Sequence, residues 1–545
     1  MFGARPQDCS SRFVPRASRF GFGLLAMVCS LILSTGARAQ VRPTESGAVK
    51  GVTIDNVAEF RGIPYAAPPV GGLRWRPPAA PIAWTGTRDA SQYGPACEQQ
   101  LAFYPLSEDC LTLNIFAPAS ATASSNLPVM VWIHGGGFIS GSGRDFDASA
   151  LVTRGNIVVV TLNYRLGYFG FLAHPALSAA DPNHVSGNYG LLDQQAAFAW
   201  ARRNIAAFGG NPNHLTIFGE SAGGQSVIDQ LISPGAGPLS AAIVQSGSYA
   251  TNLPTLAQEE ISGQAVAKTL GCPDQTASCL YGLSASALNV LNALSNLGNV
   301  SAVVDGRTIP LGPAQAFATG RFQHIPVING SNHDEYRLFV GLNRWLTNSP
   351  AMTPDQYTAK VTAQFGPFAG AVLKAYPLKD FALPDYAYAA VITDVAFACN
   401  THLLNAQMAR YTTVYEYELA DPNAPTASGP VIPGFSYGSS HSSDLSYLFP
   451  AYNIPAFHPT GIALSPAQQR LRSSIQNFWI NMARRGDPVG PGTGAWPAFS
   501  TFFPGVMSLY PPLGFTTLRF SSDHRCALWK PILLGQAGLP RGSAY

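Results

Sequence analysis

Short runs of apolar, often β-branched residues recur along the chain and alternate with longer stretches of helical pattern. The apolar runs are 129–133, 157–162, 215–218, 242–245 and 326–329. Such runs are typical of strands covered on both faces, as in a parallel sheet with helices on either side. Helical patterns fill segments between them, such as 191–204 and 224–232. The alternation predicts the α/β class, with a large, mostly parallel central sheet flanked by helices.

The chain has 545 residues, and this length alone would suggest two or more domains. Connectors rich in Pro, Gly and Ser occur at 117–125, 422–440 and 486–495, but none has the length of an inter-domain linker. We find no internal repeat. The pattern therefore favours one large domain with insertions, covering residues 40–545.

Composition excludes some classes of protein. The chain is 46% hydrophobic and 12% charged, which is not typical of a disordered protein. Its formal net charge is only +3, and no cluster of Lys and Arg is interleaved with aromatic residues. We therefore expect no nucleic-acid partner.

Residues 1–39 resemble a signal peptide. An apolar stretch at 20–33 is followed by Ala37-Arg38-Ala39, the small-x-small pattern that precedes signal-peptidase cleavage. The positive start is formed by Arg5, Arg12, Arg16 and Arg19. No other stretch approaches about 18 continuous apolar residues, so we expect no integral membrane span. The segment predicts a secreted or periplasmic protein; the alternative is a tethering helix that is retained.

Six cysteines follow the predicted cleavage site. They are Cys97, Cys110, Cys272, Cys279, Cys399 and Cys526. An even number in an exported chain indicates disulfides, and spacing alone allows fifteen pairings. No CxxC motif or Cys/His cluster indicates zinc.

The segment Gly219-Glu220-Ser221-Ala222-Gly223 matches the pattern G-x-S-x-G. It lies between a strand-like run and a helix-like run, which is the context that this pattern requires. A serine on such a tight turn needs glycines two residues away on each side, so that neighbouring backbone can pass. The turn also places the hydroxyl at a helix N-terminus, where developing negative charge is favoured. Ser221 is therefore a candidate nucleophile.

A second glycine-rich segment, His134-Gly135-Gly136-Gly137, follows the apolar run 129–133. Consecutive glycines allow backbone N–H groups to point at one spot, as an oxyanion hole requires. A flexible loop without a role would have the same composition. The segment lies directly after a buried strand, however, and this position favours the catalytic interpretation.

A serine nucleophile needs a base, and the base needs an acid that orients it. Both follow the serine in the chain order of α/β-hydrolases. The histidines late enough in the chain are His402, His441, His458 and His524, and His441 is best placed because its loop consists of small residues. Asp334 and Glu335 follow the last apolar run, and chemistry alone leaves both open as the acid.

These residues resemble the type-B carboxylesterase family, which includes the cholinesterases and the bacterial para-nitrobenzyl esterases. The matching segments extend over nearly the whole mature chain. They are 60–66, 68–71, 108–114, 163–165, 187–193, 483–488 and 496–497, together with the serine and glycine motifs.

The resemblance implies one α/β-hydrolase domain that cleaves small-molecule carboxylic esters without a cofactor or metal. It implies Ser221 as nucleophile, Glu335 as acid and His441 as base. We expect Glu220 to shape the field around the histidine; the alternative is that Glu220 is a structural hydrogen-bond acceptor. It implies an oxyanion hole and three disulfides. The oxyanion donors are the amides of Gly136, Gly137 and Ala222, and the disulfides are Cys97–Cys110, Cys272–Cys279 and Cys399–Cys526.

Two departures from the family pattern bear on specificity. The twelve-residue loop between Cys97 and Cys110 lacks the tryptophan with which cholinesterases bind choline, so choline esters are not expected as substrates. Tyr336 follows Glu335 where the family often has glycine, which predicts a changed wall beside the site. Two rival functions remain, namely a catalytically silent binding protein and a peptidase on the same fold.

Overall fold

The computed structural model describes residues 40–535 apart from 101–103, 295–299, 453, 455–456, 459–461 and 513. The predicted signal peptide, residues 1–39, therefore lies outside the described residues.

One mixed sheet of thirteen strands forms the centre of the described chain. Its order is β1-β2-β3-β5-β7-β6-β8-β9-β10-β11-β12-β13, and β4 pairs with β2. The strands are β1 (Gln40–Thr44), β2 (Gly47–Ile54), β3 (Val57–Pro64), β4 (Thr87–Asp89), β5 (Thr112–Pro118), β6 (Leu127–Ile133), β7 (Val158–Leu162), β8 (Gly210–Glu220), β9 (Ala241–Gln245), β10 (Val327–Asn332), β11 (Val414–Leu419), β12 (Val506–Leu509) and β13 (Phe515–Thr517).

The middle of the sheet is parallel and its flanks are largely antiparallel. The strands from β7 through β6, β8, β9, β10 and β11 to β12 pair in parallel. By contrast β1–β2, β2–β3, β3–β5, β5–β7 and β12–β13 are antiparallel. The five apolar runs of the sequence correspond to β6 to β10, so the predicted parallel centre is confirmed.

Helices cover the sheet. They are α1 (Ser149–Gly155), α2 (Gly167–Phe171), α3 (Pro175–Ala179), α4 (Tyr189–Asn204), α5 (Ala222–Ile232), α6 (Leu256–Thr269), α7 (Ala277–Tyr281), α8 (Ala285–Leu294), α9 (Pro313–Ala318), α10 (Arg337–Thr347), α11 (Pro354–Phe365), α12 (Ala369–Ala375), α13 (Pro384–Ile392), α14 (Cys399–Met408), α15 (Leu445–Leu448), α16 (Pro466–Arg485), α17 (Phe520–Asp523) and α18 (Cys526–Gly535). A π-helical turn, Thr393–Ala398, joins α13 to α14.

The core lies on both faces of the sheet. Along β6, the side chains of Val129, Val131 and Ile133 belong to one buried cluster, and those of Met130 and Trp132 belong to another. Alternate residues of a strand point to opposite faces. Both faces of β6 are covered, and this is why its sequence is apolar without alternation.

Within the described residues, one helical segment is long and apolar enough to cross a membrane by length and composition. This segment, Pro384–Met408, comprises α13, the π-helical turn and α14. Most of its apolar window is buried inside the protein, as is typical of a core helix.

The three disulfides implied by the family resemblance are present. The pairs are Cys97–Cys110, Cys272–Cys279 and Cys399–Cys526. The first two close short loops, with sequence separations of 13 and 7 residues. The third spans 127 residues and ties the beginning of α14 to α18.

Candidate active site

Ser221 occupies the sharp turn between β8 and α5. Its backbone has φ 57° and ψ −124°, an unfavourable conformation for a residue with a side chain. Its N–H donates to the carbonyl of Gln245, 2.9 Å away on β9. A Cβ on Gly219 would lie 2.5 Å from the carbonyl carbon of Gly223, so the turn excludes any side chain at this position. The Ser221 hydroxyl is thereby presented at the N-terminus of α5.

The glycine segment after β6 lies directly beside this turn. A Cβ added to Gly135 would lie 3.0 Å from the Cβ of Ser221 and 2.7 Å from the carbonyl oxygen of Glu220. Gly136 and Gly137 have φ angles of 103° and 63°. Both glycines are exposed, and in the described part of the chain neither N–H donates a hydrogen bond. These amides are therefore free to bind an oxygen of a ligand.

Neighbouring aromatic groups hold the glycine segment in place. The ring of His134 stacks on Tyr164 with centroids 4.5 Å apart, and the Tyr164 hydroxyl donates to the His134 carbonyl at 2.9 Å. Burial lowers the pKa of His134 to about 4, which keeps this ring neutral. At the other end, the Phe138 carbonyl accepts a hydrogen bond from the N–H of Gly167 at 2.7 Å.

Glu335 and His441 meet just beyond the carboxyl end of β10. Oε2 of Glu335 lies 2.6 Å from Nδ1 of His441, and both side chains are buried. The other carboxylate oxygen accepts from the N–H of Asn332 at 2.7 Å, and the His441 N–H donates to the Glu335 carbonyl at 3.1 Å. The carboxylate is thus fixed from one side while it holds the imidazole from the other.

Asp334 has different partners. Its carboxylate lies 2.9 Å from the Arg337 guanidinium and 3.2 Å from Nδ1 of His333, and it accepts from the N–H of Ser439 at 3.1 Å. The two adjacent acids therefore point in different directions, and the geometry brings Glu335 to His441.

The remaining late histidines contact other groups. Nδ1 of His402 lies 3.1 Å from Glu416, and Nε2 of His458 lies 3.0 Å from the carbonyl of Gly429. His524 lies between two carboxylates in a separate buried cluster, described below. Of the four histidine candidates, His441 is the one next to Glu335.

Glu220 approaches the opposite side of the His441 ring. Its Oε1 lies 3.3 Å from Nε2 of His441 and accepts from the Ser442 hydroxyl at 3.1 Å. The angle does not suit a hydrogen bond to the ring, and Nε2 has no hydrogen-bond partner among the described residues. Because Glu220 precedes Ser221 directly, its contact brings the unpaired Nε2 into the neighbourhood of the serine.

The pKa values of this pair depend on each other. Burial raises the pKa of Glu220 to about 8. Burial lowers the pKa of His441, but the charges of Glu220 and Glu335 outweigh it and raise the pKa to about 9. When Glu220 is protonated, the larger of these two attractions is lost. The pKa of His441 then falls.

Asp444 is a further buried carboxylate near His441, and sequence reasoning missed it. Burial raises its pKa. It accepts from the Gln245 side chain at 2.6 Å, and Gln245 in turn accepts from the indole N–H of Trp479 at 3.0 Å. Asp444 follows His441 by three residues in the same small-residue loop, and this spacing was the signal that could have identified it.

Aromatic side chains surround the His441 ring. The centroid of Phe339 lies 5.1 Å from that of His441, and the centroid of Phe397 lies 5.3 Å away. Phe397 belongs to the π-helical turn, and its ring is 5.8 Å from that of Tyr249. Tyr336 is buried 5.2 Å from Phe339, where it forms part of the wall that the sequence indicated.

Comparison with known proteins places this geometry in a family. A family model described as "Carboxylesterase family" matches residues 38–529. The chain belongs to the carboxylesterase family. It is 38% identical to the fumonisin B1 esterase of Sphingopyxis macrogoltabida, with 84% of each chain covered. It is 35% identical to the para-nitrobenzyl esterase of Bacillus subtilis, with 84% of this chain and 92% of the relative covered.

Solved structures of carboxylesterases have the same fold. A para-nitrobenzyl esterase structure matches with a TM-score of 0.75 and 31% identity, covering 90% of this chain and 99% of the other. A Geobacillus stearothermophilus carboxylesterase matches with a TM-score of 0.77 and 30% identity at the same coverage. The expected α/β-hydrolase fold is therefore confirmed. Membership also confirms that the protein is a carboxylic-ester hydrolase of the serine type, acting on small-molecule esters.

Proposed function

We propose that this carboxylesterase works through Ser221 as nucleophile, His441 as general base and Glu335 as the acid that orients it. The contact between Glu220 and His441 carries the proposal. Glu220 is fixed in the serine turn, and its Oε1 lies 3.3 Å from Nε2 of a histidine whose Nδ1 is bonded to Glu335. The ring nitrogen without a hydrogen-bond partner is thus the one on the serine side.

In the first half of the reaction, Nε2 of His441 takes the proton of the Ser221 hydroxyl as its oxygen attacks the ester carbonyl. The N–H groups of Gly136, Gly137 and Ala222 donate to the oxyanion that forms. His441 then returns the proton to the departing alcohol, which leaves an acyl group on the serine.

In the second half, a water molecule attacks the acyl group while His441 takes one of its protons. The tetrahedral intermediate collapses, the same proton returns to Ser221, and the carboxylic acid leaves. The carboxylate of Glu335 orients the ring and stabilises the imidazolium in both halves. The buried carboxyl of Glu220 tunes the charge of His441 without entering a bond.

A fluorophosphonate probe tests the nucleophile. It should phosphonylate Ser221 and place its phosphonyl oxygen at the glycine amides. Peptide mapping distinguishes Ser221 from two nearby buried serines, Ser226 and Ser246. Ser221→Ala should lose both labelling and ester hydrolysis, whereas Ser226→Ala should retain labelling. A label on Ser226 or Ser246 would overturn the assignment.

A peptidase on the same fold is the rival, and it can be tested with matched chromogenic substrates. We expect hydrolysis of p-nitrophenyl esters and no comparable hydrolysis of peptide p-nitroanilides. The names of the relatives include fumonisin B1 esterase and para-nitrobenzyl esterase, which favours esters as a class without selecting one acid or alcohol. A profile of acyl chain lengths with purified enzyme would define the preference.

We also propose that residues 1–39 are a cleaved signal peptide and that residues 40–545 form one domain. Three disulfides suit an oxidising compartment outside the cytosol, and one sheet extends from Gln40 to Thr517. Mass spectrometry of exported protein should give a mature N-terminus near Gln40. Alkylation under denaturing, non-reducing conditions should modify no cysteine, and two or more modified sites would contradict the proposal.

A further inference from the structure

A second cluster of ionisable side chains lies outside the residues proposed for ester cleavage. One potential ligand atom from each of His333, Glu418 and His524 lies within 4.8 Å of the other two. Glu418 and His524 are buried, whereas the side chain of His333 is 49% exposed. The cluster is therefore largely dry and has one side open to solvent.

Both histidines are oriented by a carboxylate on Nδ1. Nδ1 of His524 lies 2.6 Å from Asp394, and Nδ1 of His333 lies 3.2 Å from Asp334. This leaves Nε2 of each ring as the remaining ligand atom. Metal-binding histidines usually have a carboxylate on one ring nitrogen and the metal on the other.

The orienting carboxylates are themselves held. Asp394 accepts from the Tyr376 hydroxyl at 2.6 Å, and that hydroxyl accepts from the indole N–H of Trp529 at 2.7 Å. Asp334 is paired with Arg337 at 2.9 Å. The rings are thus pre-positioned by groups that do not themselves ligate.

The close contact between His524 and Glu418 also requires a positive charge at this position to balance the carboxylate. Nε2 of His524 lies 2.6 Å from Oε1 of Glu418, while the opposite nitrogen faces Asp394. Short contacts on both sides of one imidazole require either a second ring proton or a cation that replaces it.

We propose that His333, Glu418 and His524 bind a zinc ion. Two imidazole nitrogens and one carboxylate oxygen form a ligand set that zinc prefers. Tetrahedral zinc places neighbouring ligand atoms about 3.3 Å apart. The pair His524–Glu418 is closer than this at 2.6 Å, so these two side chains must move slightly apart when the ion enters. When zinc binds, the proton on Nε2 of His524 is released to solvent.

The ion would stabilise the segment that carries Glu335, the proposed acid of the triad. His333 precedes Glu335 by two residues, and Glu418 lies opposite Ser331 in the pairing of β10 with β11. His524 lies two residues before Cys526, which is disulfide-bonded to Cys399. Zinc would tie these three segments together, so we expect it to stabilise the fold without taking part in ester cleavage.

The test uses the mature enzyme without a polyhistidine tag, stripped with a chelator and dialysed. Titration with zinc chloride in a calorimeter should show one saturable site, and zinc should raise the melting temperature. His333→Asn should lose both effects. The matched control is His184→Asn, which removes an exposed histidine outside the cluster at φ 57°, a conformation that asparagine tolerates. This control should bind zinc like the parent.

Two outcomes would overturn the proposal. One is the absence of saturable zinc binding to the stripped enzyme, which would leave His524 as a doubly protonated ring between two carboxylates. The other is binding that is unchanged in His333→Asn, for example at His441, where it would also inhibit ester hydrolysis. Melting of both variants without zinc shows that they are folded, so the result does not depend on a loss of structure.

Discussion

Oε2 of Glu335 lies 2.6 Å from Nδ1 of His441, whereas the adjacent Asp334 is bonded to Arg337 and to the N–H of Ser439. Two neighbouring carboxylates in one loop therefore have separate tasks. The first faces the imidazole of the proposed triad, and the second ties its own loop to the loop that carries His441. This separation predicts different consequences when each acid is neutralised.

Glu335→Gln should reduce kcat for ester hydrolysis by roughly 10⁴-fold, or ~5 kcal/mol of transition-state stabilisation. The amide keeps the shape of the side chain but no longer stabilises the imidazolium or its tautomer. Steady-state kinetics with a p-nitrophenyl ester would measure the loss, and a thermal melt would show that the variant is folded.

Asp334→Asn is the matched comparison. It should lower kcat only a few-fold while it reduces the free energy of unfolding by about 1–3 kcal/mol, because a charged hydrogen-bond acceptor is removed from a mostly buried site. If Asp334→Asn lost more kcat than Glu335→Gln, the acid would have to be reassigned. Equal and mild losses would mean that the acid lies elsewhere.

Glu220→Gln should shift the acid limb of the kcat/KM profile to lower pH. The free enzyme becomes active as His441 loses its proton, and the Glu220 charge is the largest of the charges that raise the pKa of His441. The control is Asp229→Asn, which removes another buried carboxyl whose pKa is raised to about 8 by burial. Asp229 is bonded to Gln225, and its variant should leave the limb in place. If the acid limb of Glu220→Gln lay at the same pH as that of the parent, the charge of Glu220 would not control the pKa of His441.

The raised pKa values of Glu220 and His441 predict that the free energy of unfolding declines as the pH rises from about 6.5 to 8. Burial raises the pKa of Glu220 from 4.5 to about 8, so the folded state holds a proton that the unfolded state has released. The pKa of His441 is also raised above 6.5, so its contribution is complete below pH 6.5 and is lost as the pH rises further. The contributions of Glu220 and His441 to the free energy of unfolding therefore both decrease as the pH rises. Melting temperatures across this range should fall, and they should fall less in Glu220→Gln; an equal fall in both proteins would contradict the prediction.

The centre of the fold could be predicted because its strands are apolar on both faces. The strands β6 to β10 follow from such runs, and the serine turn follows from glycines whose side chains would clash. By contrast β11 carries Glu416 and Glu418, a charge pattern typical of an exposed face. Both are buried, opposite His402 and His524. His402 lies 14 residues from Glu416 and His524 lies 106 residues from Glu418, so no local pattern reveals the partners that make their burial tolerable.

The site shows the same limit. Ser221 and the glycine segment are local motifs, but the choice between Asp334 and Glu335 depends on the direction of each side chain, which the residues alone left open. The aromatic wall around His441 brings Phe339 and Phe397 together from α10 and a π-helical turn. Such a wall is defined by packing. The sequence could therefore indicate that Tyr336 changes the wall, but it could not indicate which other side chains form it.

Gly135→Ala should lower kcat/KM by roughly 10²-fold or more. The new methyl group would lie 2.7 Å from the Glu220 carbonyl oxygen, so the glycine segment must move away from Ser221 and displace its amide donors. The control is Gly494→Ala, where a Cβ meets nothing within 4 Å and the backbone is not left-handed. Kinetics with a p-nitrophenyl ester should show no change in the control. Full activity of Gly135→Ala would contradict the role given to this segment.

The disulfide that closes the longest loop should contribute more to stability than the one that closes the shortest loop. A cross-link stabilises a protein mainly by restricting its unfolded chain, and the effect grows with the logarithm of the loop. Cys399–Cys526 spans 127 residues and Cys272–Cys279 only 7. Replacing both cysteines of the long loop by alanine should therefore lower the free energy of unfolding by about 5 kcal/mol, against roughly 2.5 kcal/mol for the short loop. Urea unfolding of the two double variants beside the parent measures the difference. Equal losses, or a larger loss for the short loop, would show that local packing around each bridge outweighs chain entropy in this protein.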